Sequence, residues 1–173
     1  MSPYRSEHLA ADHELDAFAS GNDVLDDWLR RSARHAEAAN TGRSFVWVEA
    51  GSGAGSRVVV GYFTLAAHLL ARVDVPTSVG RGSPEAIPAI LVGRLALDRA
   101  LHGQGLGGQL LLDALERAVD ASARAAGRLI VVDAIDDDAV RFYQHYGFRA
   151  CPGSRRLVRK TSEVSRALGH RSR

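Results

Sequence analysis

A glycine-rich stretch in the second half of the chain has the composition of a phosphate-binding loop. Residues 101–111 read LHGQGLGGQLL, and four of these eleven residues are glycine. Successive backbone N–H groups at the start of a helix, with no side chains covering them, form a nest for an anion such as a pyrophosphate. The stretch therefore predicts an anion-binding turn that leads into a helix.

The loop partly satisfies two nucleotide-binding patterns. Gly103 to Gly108 fits G-x-G-x-x-G, and Asp133, 25 residues further on, could be the ribose-binding acid of a dinucleotide fold. Against this, five residues from Arg99 to Gly103 separate the strand from the turn, and only 40 residues follow Asp133. A P-loop would need lysine where Gln109 stands. A nicotinamide-dependent oxidoreductase is kept as a minor alternative.

Composition excludes several other classes of protein. A chain of 173 residues with 46% hydrophobic and 24% charged residues predicts one globular domain over residues 1–173. The longest apolar run, residues 58–73, is interrupted by Gly61 and His68 and is too short for a membrane helix. No export signal is recognisable, so we expect a cytoplasmic protein that does not contact the membrane. The single Cys151 rules out an internal disulfide, and the His and Cys spacing predicts no metal site.

Positive charge is unevenly distributed, although the net charge is only +2. Between Arg155 and Arg173 there are seven Lys or Arg residues and a single acid, Glu163. All but one of the 22 basic residues are arginine, whose planar guanidinium suits phosphate oxygens. Residues 161–173 are predicted to be a basic C-terminal tail, which is either solvated or in contact with a polyanion. A second basic cluster is formed by Arg30, Arg31 and Arg34.

Hydrophobic periodicity predicts the elements that position these residues. An amphipathic helix is expected over residues 23–39, with Asp23 as its cap and Val24 on its buried face. Residues 74–88 hold three of the five prolines and are expected to be a long lid or binding loop. The other predicted elements are a hairpin of strands 44–50 and 57–69, a strand over 89–98 with a bulge or splay at Gly93 and Arg94, a helix from Leu106, a strand over 128–134, a short helix within 136–148 and a last strand over 154–160.

In combination, the strand LVGRLALD, the loop HGQGLG, the long helix and the motif AVRFYQHYGF resemble the GNAT (Gcn5-related) N-acetyltransferases. Their pyrophosphate loop reads Gln/Arg-x-x-Gly-x-Gly/Ala, and His102 stands at its first position here. The resemblance implies an α/β (α+β) GNAT fold, in which helices flank a mixed, mostly antiparallel central sheet that opens to hold acetyl-CoA. The residues that it implies for acetyl-CoA binding are Leu95, Ala96, Leu97, His102, Gly103, Gln104, Gly105, Leu106, Gly107, Gly108, Asp136 and Phe142.

The same resemblance makes Tyr143, in FYQHYGF, the tyrosine beside the cofactor sulfur. A phenol with a pKa of about 10 is protonated at neutral pH and can donate a proton to a thiolate whose thiol has a pKa of about 8.5. Tyr143 is therefore expected to be the catalytic acid, and no residue stands out as a general base. The structural alternative is a core aromatic beside Phe142 and Phe148, and packing is the role expected for Tyr146.

Over residues 12–160 the sequence looks like the toxin branch of this family. The resemblance implies acetylation of the α-amino group of aminoacyl-tRNA, a block of translation, a ribbon-helix-helix antitoxin and a homodimer. An α-amine has a pKa of about 7.7 to 8.0, against about 10.4 for lysine, so a strong base would not be required. The arginines expected to grip tRNA are Arg94, Arg72, Arg30, Arg31 and Arg34.

Two rival functions remain open from the sequence. A GNAT enzyme acting on a small amine would have an acidic acceptor pocket and would not depend on the arginine clusters. A non-enzymatic acetyl-CoA-binding module would bind acetyl-CoA weakly or without turnover.

Overall fold

A computed structural model describes residues 2–51 and 55–169. Its contacts divide the chain into two compact units, residues 1–65 with 94–114 (the first unit) and residues 66–93 with 115–173 (the second unit). The expectation of a single domain over residues 1–173 stays a prediction. No helix among the described residues is long and apolar enough to span a membrane.

The described residues form seven strands and six α-helices. The strands are β1 (Tyr4–His8), β2 (Arg43–Glu49), β3 (Gly61–Ala71), β4 (Ala86–Leu97), β5 (Leu129–Asp133), β6 (Arg149–Ala150) and β7 (Arg156–Lys160). The helices are α1 (Asp23–Arg31), α2 (Ala33–Ala38), α3 (Thr77–Gly80), α4 (Leu106–Ala125), α5 (Asp137–His145) and α6 (Thr161–Ala167). The strand order is β1-β2-β3-β4-β5-β7-β6. Pairing is parallel between β4 and β5 and antiparallel for β1–β2, β2–β3, β5–β7 and β6–β7. The predicted fold class, a mostly antiparallel sheet with flanking helices, is confirmed.

The first unit has its own apolar core. Phe18, Leu29, Val46 and Tyr62 are each at most 1% exposed and belong to one packed cluster. The Tyr62 hydroxyl donates to the Leu25 carbonyl at 2.6 Å, which satisfies its polar end inside this core. The core thereby fixes α1 against β3.

The expected helix over residues 23–39 is divided in two at Ser32. Its backbone φ and ψ of −120° and −25° are not helical, yet its N–H still donates to the Trp28 carbonyl at 2.8 Å. The Ser32 carbonyl accepts from the Ala36 N–H at 2.9 Å, so hydrogen bonding resumes directly after the break. Hydrophobic periodicity gives no sign of such a break. The start of α1 also differs: Asn22, and not Asp23, is the cap, and its side chain accepts from the Leu25 N–H.

The buried face of α1 differs from the prediction as well. Val24 is 78% exposed, whereas Asp26 is only 4% exposed. The Asp26 carboxylate accepts from the N–H of Ser20 at 3.1 Å and from its hydroxyl at 2.6 Å. A buried carboxylate is tolerated when such donors surround it, and a pattern based on hydrophobicity cannot detect that.

The second unit has a separate core in which Ile87, Leu129, Val131 and Val158 are fully buried. Cys151 belongs to this core, and burial raises the pKa of its thiol, in agreement with an inert thiol. The register of β4 with β5 runs from Ala89↔Leu129 to Val92↔Val132.

Four short elements were not predicted: β1, α3, β6 and α6. Residues 74–88 are not one long loop, because they contain α3 and because β4 already begins at Ala86. The strand continues through Pro88, whose carbonyl accepts from the Arg128 N–H at 2.7 Å. The strand β1 is absent from the prediction because it has no apolar alternation, and most of its residues are half-buried. Of the predicted basic tail, the part over 161–167 is the helix α6, and residues 170–173 lie outside the described residues.

The Asn22 cap yields a stability prediction. Asn22→Ala should lower the free energy of unfolding by about 1 kcal/mol, because the first turn of α1 loses its side-chain acceptor. Asn22→Ser is the control and should restore most of that loss. Urea unfolding followed by circular dichroism measures it, and equal midpoints for Asn22→Ala and the unaltered chain would contradict the cap assignment.

Candidate functional site

The glycine loop of the first unit lies between the end of β4 and the start of α4. Gly103 and Gly105 have φ angles of +78° and +74°, in the left-handed region that favours glycine. A Cβ built on either of them would meet no atom within 4 Å, so this side of the loop is open. The first N–H groups of α4, from Leu106 to Gly108, have no acceptor within their own helix. The predicted loop is therefore an open turn with free donors that suit an anion.

Both polar side chains of the loop contact the chain that precedes it. Nε2 of His102 lies 2.7 Å from the Leu97 carbonyl, which requires that this nitrogen carry the hydrogen and donate it. The Gln104 side chain donates to the Ala100 carbonyl at 3.4 Å. The loop thus presents backbone rather than side-chain donors, which explains how histidine can replace the Gln or Arg that begins the family pattern.

The strand β4 continues past its pairing with β5. The register with β5 ends at Val92, whereas β4 extends to Leu97. The pairing therefore stops next to Gly93 and Arg94, where a bulge or a splay was predicted. Leu95 is half-buried, and Ala96 and Leu97 are 5% and 8% exposed. These three residues form the segment of β4 that the family resemblance implies for acetyl-CoA binding.

Arg94 stacks on an aromatic pair in the first unit. Its guanidinium carbon lies 3.8 Å from the centroid of the Trp28 ring, and Trp28 is parallel to Tyr62 at 6.2 Å. Burial lowers the pKa of Arg94, although a guanidinium stays charged at neutral pH. No carboxylate pairs with Arg94 within residues 2–51 and 55–169. Arg94 is consequently a positioned cation with no counter-charge among the residues that the structure describes.

The other predicted RNA-contacting arginines do not form one free patch. Arg30 donates to the Phe18 carbonyl at 2.6 Å, and Arg34 donates to the His13 carbonyl at 2.9 Å. In the second unit, Arg72 donates to the Ser83 carbonyl at 2.7 Å. These three guanidinium groups stabilise irregular backbone segments. Arg31 is exposed at the end of α1.

Tyr143 lies on α5 in the second unit and is 7% exposed. Burial raises the pKa of its phenol well above the usual value, and the charge of Asp133 raises it further. Phe142 and Phe148 pack edge-on against the ring at centroid distances of 5.3 and 5.8 Å. No acceptor for the Tyr143 hydroxyl is found among the described residues. The phenol is therefore protonated and still has its proton to donate.

Asp136 caps α5. Its Oδ1 accepts from the Ala139 N–H at 2.8 Å, so one of its carboxylate oxygens is engaged with the backbone. Phe142, the residue within α5 that the resemblance implies for cofactor binding, is half-buried and packs against Tyr143 and Tyr146.

The sequence did not anticipate a charged cluster in the second unit. Nε and Nη2 of Arg156 donate to the two carboxylate oxygens of Asp133 at 2.7 and 2.9 Å, and Nη1 lies 3.0 Å from Nε2 of His68. Burial lowers the pKa of His68, and the Arg156 charge lowers it further, so the imidazole is neutral and accepts from Arg156. Asp133, considered above as a ribose-binding acid, is paired here with arginine. The cluster forms because Asp133 of β5 lies opposite Arg156 of β7 in the antiparallel register. Hydrophobic periodicity in the sequence does not reveal that register.

A cleft of about 470 Å³ lies beside this cluster. Its lining residues include Leu69, Asp74, Asp133, Cys151 and Arg156. Because Arg156 neutralises Asp133, the cleft is not strongly acidic.

Two comparisons establish the family. A family model described as an acetyltransferase (GNAT) domain matches residues 77–163. A curated relative, the tRNA-acetylating toxin of Mycobacterium tuberculosis (strain ATCC 25618 / H37Rv), is 38% identical over 153 residues, which cover 88% of this chain and 89% of the relative. The chain belongs to the GNAT acetyltransferase family. The expected family and enzyme class, an N-acetyltransferase, are confirmed.

Solved structures of the toxin AtaT share this fold. AtaT complexed with acetyl-methionyl-tRNAfMet superposes with a TM-score of 0.84 at 26% identity, covering 95% of this GNAT chain and 99% of that one. A mutant AtaT bound to the C-terminus of the antitoxin AtaR and to acetyl-CoA has a TM-score of 0.80 at 24% identity, covering 96% and 99%.

The charged cluster yields a titration prediction. Arg156→Gln should raise the pKa of His68, because the neighbouring positive charge that disfavours the imidazolium is removed. Arg155→Gln is the matched control, because Arg155 contacts Asp137 and not His68. NMR titration of the imidazole protons measures the shift. An unchanged pKa in Arg156→Gln would show that the contact is absent in solution.

Proposed function

We propose that this chain is a toxin that transfers the acetyl group of acetyl-CoA to the α-amino group of aminoacyl-tRNA in the cytoplasm and thereby blocks translation. The observation that carries the proposal is the 38% identity, over most of both chains, to a relative named as a tRNA-acetylating toxin. The open glycine loop, the unpaired Arg94 and the protonated Tyr143 each fit a step of this reaction.

The glycine loop fits the pyrophosphate of acetyl-CoA. Its two left-handed glycines leave space on the open side, and the N-terminal N–H groups of α4 supply donors and a positive dipole end. The backbone of Leu95 to Leu97 would hold the pantetheine arm, and Phe142 and Asp136 on α5 would contact the cofactor. Bound acetyl-CoA supplies an activated thioester.

Tyr143 is proposed as the catalytic acid. As the amine nitrogen bonds to the acetyl carbon and the C–S bond breaks, the electron pair of that bond leaves with the sulfur. The Tyr143 hydroxyl then donates its proton to the sulfur, and the nitrogen loses its extra proton to water. Because the pKa of Tyr143 is raised, its hydroxyl is protonated at every pH at which the enzyme would work.

The substrate class explains why no general base is required. An α-amine of aminoacyl-tRNA, with a pKa of about 8, is partly neutral at pH 7, whereas a lysine amine is almost wholly protonated. An enzyme that acetylates small polyamines would be expected to have an acidic pocket. In the cleft beside Asp133, the negative charge of this residue is balanced by Arg156.

Arginine would supply the RNA contacts. Arg94 is the first choice because it is charged, positioned by Trp28 and without a counter-ion. Arg31 is exposed and available. The guanidinium groups of Arg30, Arg34 and Arg72 already donate to backbone carbonyl groups and would contact RNA only through their remaining N–H groups. By the family resemblance, the partners are a ribbon-helix-helix antitoxin and a second copy of this chain in a homodimer.

The decisive assay is the transfer of labelled acetyl groups from acetyl-CoA to total aminoacylated tRNA. We expect label on charged tRNA and none on deacylated tRNA or polyamines. Tyr143→Phe should reduce turnover by about 10²- to 10⁴-fold with acetyl-CoA affinity unchanged, because only proton donation is lost. Tyr146→Phe is the matched control within the same motif. Label on polyamines alone would favour the small-amine enzyme, and equal turnover in Tyr143→Phe would remove Tyr143 from the mechanism.

Arg94 is tested by charge reversal. Arg94→Glu should raise the KM for aminoacyl-tRNA by about tenfold or more, since a phosphate contact becomes a repulsion, while acetyl-CoA binding changes little. Arg124→Glu, an exposed residue near the end of α4, is the control for overall charge. Equal effects of the two substitutions on KM would mean that Arg94 makes no specific contact.

A further inference from the structure

The basic residues near the C-terminus divide into two groups by their partners. Arg155 is paired with Asp137 at 3.2 Å, and Arg156 holds both oxygens of Asp133. Arg149, Arg159 and Lys160 form no ion pair in the described part of the chain. These three residues therefore retain the positive charge that the sequence concentrates here.

The three unpaired cations line one cleft of the second unit. The cleft has a volume of about 140 Å³ and is also lined by Ser78 and Gly147, with Glu163 as the one acid among its lining residues. A water molecule occupies about 30 Å³ in the liquid, so there is room for a group of roughly five heavy atoms. That is the size of a single phosphate group.

The two guanidinium groups of the cleft are each held in place by one hydrogen bond and keep other N–H donors uncommitted. Nη1 of Arg149 donates to the Ser78 hydroxyl at 2.6 Å, and Nη1 of Arg159 donates to the Tyr146 carbonyl at 2.9 Å. The Arg159 guanidinium lies against Gly147, whose φ of +85° and missing side chain permit the approach, because a Cβ there would be 3.0 Å from it. Each guanidinium has five N–H donors, so most remain uncommitted. Donors that are already positioned lose less entropy on binding.

We propose that this cleft, formed by Arg149, Arg159, Lys160 and Ser78, binds a backbone phosphate of the RNA substrate. The proposal rests on the proposed function for the identity of the RNA. The phosphate chemistry follows from the cations, because arginine pairs with phosphate through parallel N–H donors. No aromatic ring lines the cleft to stack a base. The contact would therefore position the RNA without reading its sequence, and it would weaken with salt.

The test measures the affinity for purified tRNA as a function of salt concentration. Arg149→Gln and Lys160→Gln should each weaken binding about fivefold and reduce the slope of log K against log salt by about 0.7 to 0.9, the change expected when one phosphate contact is lost. The double variant should lose about the same slope as either single variant, because both residues contact the same phosphate. Arg166→Gln, on α6 and outside the cleft lining, removes the same charge and should leave the slope unchanged. Arg159 is left intact because it also supports the backbone at Tyr146.

A second arm uses inorganic phosphate to separate RNA from a free anion. Millimolar phosphate should raise the unfolding temperature of the full chain more than chloride of equal ionic strength, and Lys160→Gln should remove that difference. Protection by phosphate together with unchanged tRNA binding in the variants would make this a free-anion site and overturn the RNA assignment. An equal loss of slope in Arg166→Gln, or no loss in any variant, would overturn it too.

The unaltered chain distinguishes this inference from the proposed function. If it acetylates charged tRNA while the cleft variants bind tRNA normally, only the inference fails. If it does not acetylate charged tRNA at all, the proposed function fails whatever the variants bind.

Discussion

The left-handed turn at Gly103 and Gly105 is the constraint on which the first unit depends. A loop that offers backbone N–H groups to an anion must keep its open side clear, so it is held through contacts with its flanks. Asp98 does so at the start: one carboxylate oxygen accepts from the Ala100 N–H at 3.0 Å, and the other accepts from the Ala19 N–H at 3.2 Å. Together with the bond from His102 to Leu97, these contacts fix the turn without occupying its open side.

The strand before the turn is fixed by close packing. A Cβ on Gly61 would lie 3.3 Å from the Leu97 side chain and 3.4 Å from the Ala96 carbonyl, so a larger residue there would require these neighbours to shift by a few tenths of an ångström. The segment assigned to the pantetheine arm thus has little freedom to move. Preorganisation of this kind is what a phosphate nest requires, because donors that are already placed need no reordering when the ligand arrives.

The amino-acid sequence specifies the elements with strong local signals. Strong periodicity or a motif predicted β2, β5, β7, α4 and α5 and the loop at residues 102–108. The features that were not predicted have weak local sequence patterns and depend on contacts with residues that are distant in the sequence. The strand β1 is polar along its length and exists through its pairing with β2, and the break at Ser32 preserves the hydrogen bonds on either side.

The roles of the individual arginines at the site could not be predicted from the sequence either. Composition reveals the excess of arginine, but the partners of each one are distant in sequence. Arg34 supports the carbonyl groups of an irregular N-terminal segment, which need donors wherever they are withdrawn from water. Arg156 is neutralised across a strand pair, and Arg94 keeps its charge above Trp28. Only the folded chain distinguishes a guanidinium that supports the backbone from one that can bind RNA.

Burial of Tyr143 is compatible with its proposed role as an acid because proton transfer depends on a difference of two pKa values. Burial raises the pKa of the phenol, which on its own would make it a poorer donor. A thiolate formed in the same water-poor surroundings is destabilised by the same effect, so the pKa of its thiol rises as well and the difference stays small. The phenol therefore donates only when negative charge develops beside it. In the proposed reaction an amine that is already partly neutral needs no ionised base. This agrees with the pairing of Asp133, the carboxylate whose charge acts on Tyr143, with Arg156.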